Sequence, residues 1–241
     1  MEFEIIIPAY NEAKNLKLLI ERASLAAQEN QYTAEQFNLL LVNNGSFDDS
    51  KLILSELKQS DLGAWFRIVT VEVNQGYGYG LWQGLQASTA EYVGWSHADL
   101  QCDPNDAFRA LQMIKSCPDK RLIVKGVRIG RDWKDKIISR VFEALAWLIL
   151  GVRVFEMNAQ PKVFHRDFLK EIINPPKTFA FDLYALYCGQ KAGYKTRAIQ
   201  VQFPPRIHGV SNWASGFISR YKTIWGIIKY MFELRKKEGS M

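Results

Sequence analysis

Phe3-Glu4-Ile5-Ile6-Ile7-Pro8-Ala9-Tyr10-Asn11-Glu12 opens the chain. Residues 3–7, apolar but for Glu4 and stopped by Pro8, have the composition of a strand covered on both faces, as in a parallel sheet. Apolar side chains then return at Leu16, Leu19, Ile20, Ala23 and Ala27, a spacing that predicts a helix over 13–27. The same unit of strand, polar loop and helix recurs. Strands are expected at 37–42, 66–73 and 92–95, and helices at 51–57, from a glycine-rich loop at 74–84 to about residue 90, and from near Pro104. Such alternation argues an α/β fold with a mostly parallel sheet flanked by helices.

In sheets of this kind the binding crevice lies outside the carboxyl ends of the strands. Four polar clusters, at 8–12, 43–49, 74–80 and 97–103, all fall there. In the last of them His97, Asp99 and Gln101 follow the strand at every second position. One backbone turn can aim all three, and oxygen and imidazole ligands suit Mg²⁺ or Mn²⁺, which commonly bridge to substrate phosphates. The plain alternative is a solvated turn whose acid caps the helix beginning near Pro104. Gly76, Gly78 and Gly80 serve equally as close-approach positions for a ligand or as an ordinary flexible turn.

The formal net charge of +6, with a pI near 9.1, favours anionic partners. Three cysteines, Cys102, Cys117 and Cys188, form no C-x-x-C pair, which argues against a zinc site or disulfide framework and for a reducing compartment. The N-terminus lacks the charged-then-apolar pattern of a signal peptide, and no apolar run nears the ~20 residues that span a bilayer. A soluble or membrane-surface protein is expected. No nucleic-acid motif is present, and nucleic acid is not expected as a partner.

Beyond a fifth strand at 122–125 the pattern loosens: a helix at 134–150, a strand at 158–164, a helix at 179–191, a strand at 196–203 and a final helix at 217–237. The helices at 134–150 and 217–237 mix aromatic, apolar and basic residues. Helices of that composition can lie in the headgroup layer, each basic residue contributing ~1 kcal/mol near an anionic surface. Packing against the sheet, or a contact between copies in a homo-oligomer, would use the same faces.

With these motifs laid out, the sequence resembles the family 2 glycosyltransferases of GT-A fold, nearest to the dolichol-phosphate mannosyltransferases and bacterial polyprenyl-phosphate transferases. Ile5 to Glu12 with Asn15-Leu16 is similar to the family's opening motif, and Asn43-Asn44-Gly45-Ser46-Phe47-Asp48-Asp49-Ser50 to its second. Asn74-Gln75-Gly76-Tyr77-Gly78 matches the third, and Ala98-Asp99-Leu100-Gln101 with Pro104 the metal-binding motif. Asn158-Ala159-Gln160-Pro161-Lys162-Val163-Phe164 and Arg206-Ile207-His208-Gly209-Val210-Ser211 stand where that branch has acceptor-side and phosphate-gripping motifs. Two departures stand out: Asn43-Asn44 replaces the usual Asp-Asp, and His97-Ala98-Asp99 the usual Asp-x-Asp. Both remove negative charge from the crevice, although Asn can still bond a base or ribose and neutral His can ligate a metal.

The resemblance implies a GT-A domain over 1–213 and a C-terminal amphipathic helix over 214–241. It implies an inverting, metal-dependent transfer of a hexose from a nucleotide diphosphate sugar to a polyprenyl phosphate, by a peripheral protein at the cytoplasmic face of the membrane. Transfer to a glycan or lipid-linked saccharide in envelope polysaccharide assembly, and nucleotide-sugar binding without turnover, are the alternatives. Pro8, Ala9, Tyr10 and Glu12 would line base and ribose, with Asn43 and Gly45 opposite and Gly76 near the phosphates. Asp99, with Gln101 and His97, would hold the metal. Arg206 leads the phosphate grips, joined by Arg128, Arg131 and His208. Because a phosphate is already anionic near neutral pH (second ionisation near ~6), a lipid phosphate acceptor needs no strong base. A sugar hydroxyl would need one, and Asp182 is the candidate, its other reading being an N-terminal charge or cap on the 179–191 helix.

Overall fold

The computed structural model describes residues 1–130, 132–207 and 217–238. In chain order these form β1 (Phe3–Ala9), α1 (Ala13–Glu29), β2 (Phe37–Asn44), α2 (Ser50–Lys58), β3 (Phe66–Val71), α3 (Tyr77–Ala87), β4 (Tyr92–Trp95) and α4 (Pro104–Lys115). There follow β5 (Leu122–Arg128), α5 (Trp133–Leu150), β6 (Lys162–His165), α6 (Phe181–Lys191), β7 (Lys195–Val201) and α7 (Phe217–Glu238). One seven-stranded sheet has the order β3-β2-β1-β4-β6-β5-β7. Only β6 runs against the rest, antiparallel to both β4 and β5.

The apolar runs of the strands serve two cores. Ile5 and Ile7 face α1, α2 and α4, whereas Ile6 faces α3, α5, α6 and α7. Period-two alternation thus feeds both sides of one strand. Glu4, the exception in the first run, is fully buried; it accepts from Arg67 (Nη2, 2.6 Å; Nε, 2.9 Å) and from the Ser88 hydroxyl (2.7 Å). A buried carboxylate is tolerated because it is paired and hydrogen-bonded.

Several expected boundaries shift. The strand expected at 158–164 begins only at Lys162, after Pro161, which has no N–H to give a ladder. The one expected at 122–125 runs on to Arg128, bringing that residue to the crevice edge. The late strand expected at 196–203 occupies Lys195–Val201, and the helix expected from 179 begins at Phe181.

Helix α7 buries Ile227, Met231 and Leu234 in the core it shares with α5 and α6. Both α5 and α7 also carry a second apolar set facing outward: Trp133, Ile137, Val141, Trp147 and Leu148 on α5, and Tyr221, Trp225 and Phe232 on α7. Among the described residues no helix is long and apolar enough to cross a membrane.

Candidate active site

The carboxyl ends of β1, β2 and β4 carry three loops that meet. Asn11 adopts a left-handed backbone (φ 56°), a conformation asparagine tolerates better than most residues. Its amide N–H donates to the Ser46 hydroxyl (3.0 Å), and its side-chain oxygen accepts from the Phe47 N–H (3.0 Å). The Ala13 N–H donates to Asp48 (3.1 Å), so the two loops are stitched at three points. Asn43 and Asn44, both buried, extend the stitching. Asn43 accepts from the Ser46 N–H (3.2 Å), and Asn44 donates to the Gly76 carbonyl (3.1 Å). Gly45 is also left-handed (φ 71°), and a Cβ there would collide with the Asn74 backbone.

After β4 the chain turns sharply at Leu100 (φ 62°). Asp99 is buried; one oxygen accepts from the Gln101 N–H (3.2 Å) and the other meets Arg206 Nη2 at 2.8 Å. The second terminal nitrogen of Arg206 lies 3.7 Å from Glu12. A guanidinium therefore sits between the two carboxylates. Burial raises the pKa of Glu12; Asn15, which donates to it at 2.5 Å, and Arg206 pull it down, while Asp99 pushes it further up.

The three expected metal ligands have different partners. Gln101 donates to the Pro204 carbonyl (2.7 Å), tying down the segment that carries Arg206. The His97 ring lies 6.1 Å from that of Tyr77. Burial lowers the pKa of His97 against the pull of Asp99 and Asp182, leaving a neutral imidazole at neutral pH. Among the described residues no group of three or more His, Cys, Asp or Glu could hold a metal ion. A carboxylate and a neutral imidazole still fit a hard divalent cation of the Mg²⁺ or Mn²⁺ kind, which ordinarily takes one or two carboxylates and completes its shell with substrate phosphates and water.

On the other side of β4 the first turn of α6 brings in Asp182, 2% exposed. One of its oxygens takes hydrogen bonds from Trp95 Nε1 (3.1 Å), Gln160 Nε2 (2.9 Å) and Lys162 Nζ. Asp182 is not a helix cap. Burial alone would raise its pKa, but Lys162, helped by His97 and Gln160, lowers it on balance. Lys162, wholly buried, comes from the start of β6, which only an antiparallel strand could bring to this edge. Next to it on β5, Lys125 is also fully enclosed and donates to the Gly126 and Phe155 carbonyls (both 2.9 Å); burial first, then Lys162, push its pKa down to about 7. Sequence reasoning gave no role to Lys125 or Trp95 and placed Gln160 and Lys162 only within the acceptor-side motif, without individual roles. A lysine inside an otherwise apolar strand was the available signal.

The glycines of the third motif face protein. A Cβ on Gly76 or Gly78 would strike the backbone of residues 176–178, and one on Gly80 would come within 2.6 Å of the Asn44 side chain. The Lys177 carbonyl accepts from the Tyr79 N–H (3.2 Å) at the start of α3, and Phe179 stacks on Tyr77 (5.1 Å, 12°). Arg128 is bound by Glu156 (2.8 Å) under the Phe203 ring. Arg131 and His208 lie outside the described residues. Pro8 and Ala9 end β1, and Tyr10 follows in the stitched loop.

A mostly parallel sheet with carboxylates gathered at its carboxyl edge is the arrangement of the GT-A fold, and solved structures share that fold. Glucosyl-3-phosphoglycerate synthase from Mycobacterium tuberculosis, crystallised with Mn²⁺, uridine diphosphate and glucosyl-3-phosphoglycerate, superposes with a TM-score of 0.70 at 14% identity, covering 97% of this chain and 79% of that one. The same enzyme crystallised with Mg²⁺ and uridine diphosphate gives 0.67 at 17% identity, covering 95% and 79%. Residues 4–188 match glycosyl transferase family 2, and the chain belongs to that family. It is therefore a glycosyltransferase. Among its relatives, dodecaprenyl-phosphate galacturonate synthase of Rhizobium johnstonii is 24% identical over 98% of this chain and 68% of the relative. Polyprenol monophosphomannose synthase of Mycolicibacterium smegmatis is 23% identical over 92% of this chain and 86% of the relative.

Proposed function

We propose that this glycosyltransferase moves a hexose from a nucleotide diphosphate sugar to a polyprenyl phosphate, with inversion, at the cytoplasmic face of the membrane. The observation that carries the acceptor class is the state of Asp182. A hydroxyl acceptor must lose its proton as it attacks. Asp182 is poorly suited to take it: the carboxylate is enclosed, one oxygen already accepts three hydrogen bonds, and Lys162 favours its ionised form. A phosphate oxygen arrives already anionic, so positioning and charge neutralisation suffice. Two relatives named for dodecaprenyl or polyprenol phosphate products support the same acceptor class.

On the donor side, Pro8, Ala9, Tyr10, Glu12, Asn43 and Gly45 line the base and ribose. Asp99 and His97 would hold a divalent cation, which when bound neutralises the diphosphate as it leaves. Arg206 already brings positive charge between Asp99 and Glu12 and grips the same diphosphate, while Gln101 holds the Arg206 segment in place. The body over 1–213 carries the chemistry. In the C-terminal segment over 214–241, helix α7 with α5 turns aromatic and aliphatic side chains outward for a membrane surface.

The test is a panel of nucleotide sugars incubated with a short-chain polyprenyl phosphate and Mn²⁺ or Mg²⁺, with the product followed by mass spectrometry and its anomeric configuration by NMR. A lipid-linked monosaccharide of inverted configuration is expected. Sugar appearing only on saccharide hydroxyls, with the lipid phosphate untouched, would replace this reading with transfer to a glycan.

A further inference from the structure

Phe47 is 81% exposed, yet the loop bearing it is tied by several hydrogen bonds. Its own N–H is held by Asn11, the preceding Ser46 is bonded through both backbone and hydroxyl, and the following Asp48 caps the Ala13 N–H and accepts from the Ser50 N–H (3.1 Å). A lone exposed apolar residue is ordinary on a protein surface. This one is fixed in place by its backbone, and it stands edge-on to Tyr10, ring centroids 5.9 Å apart and planes at 80°. Together the two rings make an aromatic corner on the loops that follow β1 and β2.

Two residues beyond Tyr10, Glu12 shares the guanidinium of Arg206 with Asp99, the spot where a diphosphate's charge would be met. The aromatic corner and the charged spot therefore adjoin along the loop that follows β1, one offering ring faces and the other charge. The acids Asp48 and Asp49 beside Phe47 disfavour an anionic membrane surface as its occupant, whereas a neutral planar ring is unaffected by them. We propose that Phe47 is the residue on which the donor's nucleobase stacks, with Tyr10 as the second wall. Offset stacking on one ring and edge contact with the other are both favoured arrangements for aromatic pairs.

This inference rests on the nucleotide-sugar reading, and its test separates the two. Uridine, guanosine, cytidine and adenosine diphosphates, and inorganic diphosphate as the base-free probe, are titrated calorimetrically with Mn²⁺ into wild-type protein, Phe47→Ala and Phe47→Trp. Because Phe47 is exposed, neither substitution opens a core cavity. Phe47→Ala should weaken the tightest-bound nucleoside diphosphate about tenfold or more while leaving inorganic diphosphate unchanged, and Phe47→Trp should restore nucleotide affinity. Equal affinity of Phe47→Ala and wild type for that nucleotide overturns the inference alone. So does an equal loss for nucleotide and inorganic diphosphate, which would mark the loop rather than the ring. Failure of wild type to bind any nucleoside diphosphate overturns the donor reading and this inference with it.

Discussion

The two sides of the crevice are fixed by opposite means. On the β1–β2 side, the loops are held by several modest hydrogen bonds between residues 35 or 36 positions apart, partly open to water. On the β6–α6 side, the geometry depends on one enclosed ion pair, Lys162 with Asp182, and on a second enclosed lysine that has carbonyls for partners. Many small ties fail by degrees. A buried charge pair fails at once, because removing either member strands the other in a medium that cannot solvate it.

The sharpest way to break the contrast is Lys162→Met, which should destabilise the fold by about 3–5 kcal/mol in chemical denaturation, with much of that recovered when Asp182→Leu is added. If the single variant unfolds like wild type, the two sides do not differ as described. Next in size, Asp99→Ala should lower sugar transfer by about 10²–10³-fold, with a loss of stability smaller than at Lys162 because its partner Arg206 is partly exposed and can be resolvated.

Lys125 supplies a pH signature peculiar to the enclosed side. Its folded pKa of about 7 lies below the value of a free lysine, so between pH 7 and roughly 10 the unfolded chain holds a proton that the folded one has shed. Stability should therefore rise with pH across that window, by at most ~1.4 kcal/mol per pH unit. Lys125→Met should flatten that slope in denaturation curves taken at pH 7, 8 and 9. On the open side, Asn11→Ala removes one tie and places alanine at positive φ. A loss of about 1–2 kcal/mol is expected in the same measurement, well short of the effect at Lys162.

The contrast also explains what could be read from the chain beforehand. Strands β1 to β4 announce themselves because each is built around a run of apolar residues and is followed by a helix of regular spacing. Knowing only that loops gather at strand tips is then enough to put Glu12, Asn43 and Asp99 on one rim, and Arg206 is indeed beside two of them. Beyond Leu122 the local signal fades. Strand β6 is four residues long, runs against its neighbours and begins with a buried lysine, so its period is too short to read and its direction is not encoded locally. The pairing of Lys162 with Asp182 joins residues 20 apart across irregular chain, and a helix start containing an acid looks like an ordinary first-turn charge. The glycines stayed open for a related reason: the sequence shows that a Cβ is missing but not which neighbour, ligand or backbone, needs the space.

That last point reaches further. Gly78 lies in a motif that by sequence belongs to the nucleotide's half, but the backbone pressed against it, residues 176–178, leads within a few residues into Asp182. Gly78 sits in the first turn of α3, so enlarging it by a single methyl would press that helix against the segment leading into α6. A change made within the third motif would thus be felt on the far side of β4, where Asp182 and Lys162 are paired, and not only among the residues of its own motif.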